Sequence, residues 1–214
     1  MSELQPINPF FTDTVDIPDR YFCDRKAETE EIISLIQNGS NIVLKAPRRI
    51  GKSSLINHVF NQPQISDNYN TLYVDIYGTK NADDFSAELQ RSFLNAPFAS
   101  HSKLRKRFQS YIQSLQLELG SYSADKVSLP KIGLGEIHSP VFTIDEIFDW
   151  MEEADKPGLI VFDEFQQIQE YPERMAGILR SYIQKKRKTK FIFSGSSRHM
   201  LDNMFFNYNQ PFYN

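Results

Sequence analysis

Three short stretches hold residue types and spacings suited to handling a polyphosphate: KAPRRIGKSSL from Lys45 to Leu55, LIVFDEF from Leu159 to Phe165, and FIFSGSSRH from Phe191 to His199. In the first, Ala46, Pro47, Arg48, Arg49, Ile50, Gly51, Lys52 and Ser53 match the phosphate-loop pattern if alanine is allowed at its first position. Such a loop turns backbone N–H groups toward phosphate oxygens at a helix N-terminus; its lysine reaches the β and γ phosphates and its hydroxyl holds Mg2+. Glycine is demanded only where φ must be positive or a phosphate approaches the backbone closely, and Gly51, beside Lys52, is the candidate for that demand. Ala46 is tolerated if its φ stays negative, as also suits Pro47. Ser54 completes the set of candidate nucleotide-binding residues.

The second stretch delivers two adjacent carboxylates at the end of an apolar run. One could hold Mg2+ through water and the other orient or deprotonate an attacking water, and we assign Asp163 to the metal and Glu164 to the water. The competing reading is an acidic pair that caps the next helix; the independent phosphate loop favours the first. In the third stretch, Ser194 and Ser196 could hydrogen-bond the γ-phosphate or the attacking water, and Arg198 could sit near developing phosphate charge. A turn of small residues with a solvated arginine is the alternative, and spacing does not decide which serine faces the nucleotide.

These residues need elements to position them. DRKAETEEIISLIQNG reads as a helix with Ile32, Ile33, Leu35 and Ile36 as its apolar stripe and Gly39 as its stop. NIVLKA is a strand leading into the loop, and SSLINHVFN is the helix leading out, the context the loop pattern requires. TLYVDIYG is a second strand. ADDFSAELQRSFL is a helix with Phe85, Leu89 and Phe93 on one side. A further helix is expected from His101 to Leu119, and a Gly/Pro/Ser-rich loop or hairpin insertion at about 120–140. FTIDEIFDWMEEA is a helix capped by Thr143, and MAGILRSYIQKKRK another that carries the basic run to its end. Strands alternating with helices predict a parallel α/β sheet, with ligands beyond the carboxyl ends of the strands.

The chain has 214 residues, 24 basic and 27 acidic side chains, and a formal net charge of -3, which argues against a protein built as a whole to coat nucleic acid. The sole cysteine, Cys23, excludes an intramolecular disulfide and a cysteine metal cluster, and with no signal sequence or membrane-length apolar run a cytoplasmic location is expected. His58, His101, His138 and His199 show no metal-ligand spacing. The run Lys185, Lys186, Arg187, Lys188 and Lys190 is read as a solvated helix end, with nucleic-acid contact as the alternative; His101, Lys103, Arg105, Lys106 and Arg107 are read the same way. Phe10, Tyr21 and Phe22 suit core packing better than an adenine site. No N-K-x-D guanine signature is present.

In this order, the motifs resemble the AAA+/STAND division of P-loop ATPases, and more closely its prokaryotic archaeal-type ATPase group. YFCDRKAE, APRRIGKSS, IVFDEFQ and FIFSGSSRHM are similar to that group's N-terminal box, Walker A, Walker B and sensor-1 regions. The resemblance implies a three-layer P-loop sandwich with a mainly parallel sheet ordered 5-1-4-3-2, ATP and Mg2+ as cofactors, and Mg2+-dependent hydrolysis driving a conformational switch. It implies phosphate and metal binding by Lys52 and Ser53, metal and water roles for Asp163 and Glu164, and a sensor role for Ser194 or Ser196. Relatives continue into a fifth strand, a helical lid and often a winged helix, so the expectation is a domain lacking the fifth strand and lid, with a protein partner or homo-oligomer, and with DNA contacted through a domain beyond this chain. A nucleotide-gated or inactive interaction scaffold is the alternative, or a DNA-associated regulatory protein that uses the basic runs. Lys52→Ala is expected to abolish nucleotide binding with the fold intact.

Overall fold

The computed structural model describes residues 25–101 and 140–213. The helix expected after His101, the insertion at about 120–140, the basic residues Lys103 to Arg107 and the aromatic residues Phe10, Tyr21 and Phe22 lie outside the described residues.

Four strands, β1 (Ile42–Lys45), β2 (Asn70–Asp75), β3 (Gly158–Asp163) and β4 (Lys190–Gly195), form one all-parallel sheet in the order β1-β4-β3-β2. All six residues of the central strand β3 are buried, because helices cover both faces. On one face, Ile32, Ile33 and Ile36 of α1 (Lys26–Gln37) and Leu55, Ile56 and Val59 of α2 (Lys52–Asn61) pack on Leu159, Val161 and Ile192, with the short α3 (Pro63–Ser66) adding Ile65. On the other, α4 (Ala82–Asn95), α5 (Pro140–Glu153), α6 (Met175–Ile183) and α7 (Arg198–Phe206) cover Ile160, Phe162, Phe191 and Phe193. The result is the three-layer sandwich expected. Phe162, Phe191 and Phe193 stack across neighbouring strands, and each fully buried phenylalanine contributes about 2–3 kcal/mol of apolar transfer.

The pleat decides what reaches the site. Alternate residues of a strand share a face, so Leu159 and Val161 carry Asp163 to the α2 side, Ile192 carries Ser194 there, and Tyr73 of β2 joins them.

Three local readings are corrected. α5 begins at Pro140, whose missing N–H costs nothing in a first turn, so Thr143 lies buried inside the helix rather than capping it. Leu35 is 37% exposed, and Thr29 takes its place on the buried face of α1. The basic run is not helical: α6 stops at Ile183, and Glu152 of α5 accepts the backbone N–H groups of Arg187, Lys188 and Thr189 at 2.7 to 3.2 Å. Nor is all of it solvated, since the Lys186 side chain is 3% exposed and ion-paired with Asp145 and Asp149.

Candidate functional site

The loop from Ala46 to Gly51 joins β1 to α2 at the carboxyl end of the sheet. Ala46 is buried, its N–H donates to Gly195 O at 3.3 Å, and its φ is not positive, so it prolongs the β1–β4 pairing and a methyl group fits there. Gly51 has φ 73°, the left-handed conformation expected of it, and α2 starts at Lys52. Arg49 also takes a left-handed conformation, φ 65°, at a cost of about 1–2 kcal/mol for a residue with a Cβ. Pro47, Arg48, Arg49 and Ile50 are exposed, while Ser53 and Ser54 are half-buried.

Behind the loop, Arg25 Nη1 donates to Ile50 O at 3.1 Å and Gly51 O at 3.2 Å, while Glu28 holds its Nε and Nη2. In a planar trans peptide the N–H points opposite to the C=O, so drawing these two carbonyls toward Arg25 turns the N–H groups of Gly51 and Lys52 the other way. Arg25 lies within YFCDRKAE, but nothing in its spacing gives it this role.

The Lys52 ammonium, with a side chain 8% exposed, reaches both carboxylates: 3.0 Å to Asp163 Oδ1 and 3.1 Å to Glu164 Oε1. Asp163 Oδ2 accepts from Ser53 Oγ at 3.1 Å and from the Tyr73 hydroxyl, and Oδ1 accepts the Glu164 N–H at 3.0 Å. Burial opposes ionisation of Asp163, but the Tyr73 hydrogen bond and the Lys52 charge outweigh it and hold its pKa below the usual carboxylate value. Burial and the Asp163 charge push the Tyr73 phenol upward, so it stays a donor.

Glu164 takes a left-handed conformation, φ 56°, just before a 3-10 turn (Phe165–Glu170) that its side chain does not cap. Instead Oε2 accepts from Ser196 Oγ at 2.7 Å and from Gln166 Nε2 at 2.5 Å, with the Ser196 N–H at 3.4 Å. Burial again opposes ionisation; the hydrogen bonds from Ser196, Gln166 and Lys52 prevail and lower its pKa. Arg48 Nε approaches Ser196 Oγ at 3.4 Å, with its guanidinium 5.5 Å from the centre of the Tyr77 ring. Gly195 sits in a crowded spot: a Cβ there would come within 2.1 Å of Gln166 Oε1 and 2.9 Å of Leu201 Cδ1, so both side-chain ends would have to shift.

Of the two serines, Ser196 touches Glu164. Ser194 is fully buried and its Oγ completes no hydrogen bond of good geometry, although it lies near enough to Asp163 to favour the carboxylate. Arg198 is exposed at the start of α7 and makes no hydrogen bond or ion pair with Asp163 or Glu164. Tyr73 and Gln166 were not foreseen; the register of β2 on β3 and the turn after β3 bring them in. The hydroxyl of Ser53 and the carboxylate of Asp163 are hard oxygen donors converging on one spot, a set that fits Mg2+, which keeps most of its waters and takes few protein ligands. A cavity of about 400 Å3 among Phe60, Tyr69, Asn70 and Phe98 lies at the other end of the sheet and touches none of these residues.

The model of a family described as an ATPase domain predominantly from Archaea matches residues 22–210. The chain belongs to this ATPase family. The Walker-type ATPase PABY2304 of Pyrococcus abyssi is similar in structure to this ATPase domain, with a TM-score of 0.55, 20% identity, and coverage of 92% of this chain and 53% of that one. Aeropyrum pernix ORC2 in its ADP form aligns with a TM-score of 0.54 at 15% identity over 88% of this chain and 45% of that one. Aeropyrum pernix ORC1 in complex with DNA gives 0.53 at 13% over 90% and 43%. At these identities the likeness is one of fold, and the ATPase domain spans about half the length of those chains. Comparison with curated proteins gives no match. No helix among the described residues is long and apolar enough to cross a membrane.

Proposed function

We propose that this ATPase domain binds ATP with Mg2+ and hydrolyses it, and that the change of nucleotide state drives a conformational switch. The observation that carries the reading is the convergence of Lys52 on both Asp163 and Glu164 at the mouth of a loop whose N–H groups Arg25 turns inward. With nucleotide present, the Lys52 ammonium leaves the carboxylates for phosphate oxygens. The N–H groups of Gly51 and Lys52 meet further phosphate oxygens at the positive end of α2. Ser53 and Asp163 would hold Mg2+, which would supply positive charge against the phosphates. Glu164, freed of Lys52 but still held by Ser196 and Gln166, orients the attacking water and accepts its proton.

Ser196 is thereby the sensor candidate, and Ser194 supports Asp163 from beneath. Arg198, exposed at the start of α7, is the candidate to meet developing phosphate charge. A protein partner or a second copy of the chain, DNA contact through a further domain, and a cytoplasmic location complete the proposal; the Aeropyrum pernix ORC1 structure is a DNA complex. Direct DNA contact through the basic run is disfavoured by the pairing of Lys186 with Asp145 and Asp149. Equilibrium binding of a fluorescent ATP, with and without Mg2+, tests the assignment. Wild type should bind and Lys52→Ala should not, whereas equal affinity in the two proteins would remove Lys52 from the site.

A further inference from the structure

We propose that Tyr73 is a positioning residue for Asp163, its hydroxyl fixing the carboxylate in the orientation from which Asp163 serves Mg2+. The inference rests on the Mg2+-ATP reading of the site given above.

Tyr73 stands opposite Val161 in the β2–β3 register, and Asp75 stands opposite Asp163. It is therefore the diagonal neighbour of Asp163 on the same face, a separation that an aromatic side chain spans. Its ring packs against the apolar cluster formed with α1 and α2, so the hydroxyl is presented from an anchored stem.

Four donors meet the Asp163 carboxylate: Lys52 Nζ and the Glu164 N–H on Oδ1, Ser53 Oγ and the Tyr73 hydroxyl on Oδ2. In the working site Lys52 turns to phosphate, while Ser53, whose oxygen lone pair would go to the metal, divides its hydroxyl between the metal and Asp163 Oδ2. The Glu164 N–H stays on Oδ1, and on Oδ2 the Tyr73 hydroxyl is the donor with no duty toward nucleotide or metal, with Ser194 close to the same carboxylate. A single donor leaves a carboxylate free to rotate about its Cβ–Cγ bond, while one on each oxygen fixes its plane. The Glu164 N–H belongs to the backbone and cannot be tuned by side-chain choice; the Tyr73 hydroxyl can. Loss of a hydrogen bond that orients a metal-binding carboxylate lowers metal affinity by about 10–100-fold.

The test is a Mn2+ titration followed by electron paramagnetic resonance, in the presence of a non-hydrolysable ATP analogue, on wild type, Asp163→Asn and Tyr73→Phe. Fluorescence affinity for the analogue in EDTA and the thermal midpoint are measured beside it. Tyr73→Phe keeps the ring and removes only the hydroxyl. It should weaken Mn2+ binding by about 10–100-fold while metal-free nucleotide affinity stays within about twofold. If wild type takes up Mn2+ in a way that Asp163→Asn abolishes, and Tyr73→Phe titrates like wild type, the role of Tyr73 is overturned and the site reading stands. If Tyr73→Phe loses metal-free affinity and thermal stability in step with Mn2+ binding, the hydroxyl serves the fold and the proposal falls. If wild type itself takes up no Mn2+ with the analogue, the site reading falls and takes the proposal with it.

Discussion

Lys52→Ala should destabilise the nucleotide-free domain as well as abolish ATP binding, which departs from the expectation of an intact fold. The Lys52, Asp163 and Glu164 side chains are only 8%, 7% and 15% exposed, and the ammonium is the cation that both carboxylates share. Removing one partner of a buried ionic group costs about 3–5 kcal/mol, because the charge left behind is neither solvated nor compensated. Two adjacent carboxylates without a cation can relieve part of this by taking up a proton, so the lower end, about 3 kcal/mol, applies. For a domain of this size each kcal/mol moves the melting midpoint by about 2–4 °C, giving a fall of about 6–12 °C at pH 7. The pH dependence has a fixed sign. Both folded-state pKa values lie below the ordinary 3.8 and 4.5, so the stabilisation is present above those values and disappears as pH falls through the lowered ones. Thermal unfolding by circular dichroism without nucleotide, at neutral pH and in acid, checks both parts. A mutant that melts within about 2 °C of wild type at pH 7, or a gap that persists unchanged in acid, would refute the reasoning.

Three further outcomes follow from the contacts around the carboxylates and the basic run. Ser196→Ala removes the 2.7 Å bond to Glu164, and since a hydrogen bond to a charged group is worth about 1.5–3 kcal/mol, single-turnover hydrolysis should slow by about 10–100-fold with little change in ATP affinity; an equal or larger effect of Ser194→Ala would reverse the choice of serine. Gly195→Ala should cost about 1–3 kcal/mol in a urea titration, because the new Cβ meets Gln166 and Leu201; a midpoint equal to wild type would show that the strand end relaxes freely. For Glu152, burial is outweighed by the backbone N–H groups of Lys188, Thr189 and Arg187, so its pKa is lowered from 4.5; Glu152→Gln should be less stable than wild type at pH 7, with the difference closing as pH falls below that value, and a constant difference would contradict the account.

What the sequence disclosed was governed by neighbours along the chain. The apolar run before Asp163 announces a strand buried on both faces, and Gly51 beside Lys52 announces a left-handed residue before a helix, because each depends on a few consecutive residues. What it withheld depends on pairing between distant segments. Tyr73 reaches Asp163 only through the β2–β3 register, and Arg25 reaches the loop carbonyls only once α1 is packed. The end of α6 depends on distant pairing too: local helix propensity continues into the basic run, but Glu152 on another helix captures the backbone N–H groups of Arg187, Lys188 and Thr189. The left-handed Arg49 and Glu164 run against local preference, and both sit where the loop and the carboxylates must meet.

The account stands most directly on Glu164. In a single-turnover assay with γ-labelled ATP, Mg2+ and excess protein, wild type should release phosphate, while Glu164→Gln should bind ATP with affinity similar to wild type and release about 100-fold less in the same time, the upper range for loss of a general base. Hydrolysis at the wild-type rate by Glu164→Gln, or bound ATP left uncleaved by wild type, would contradict it.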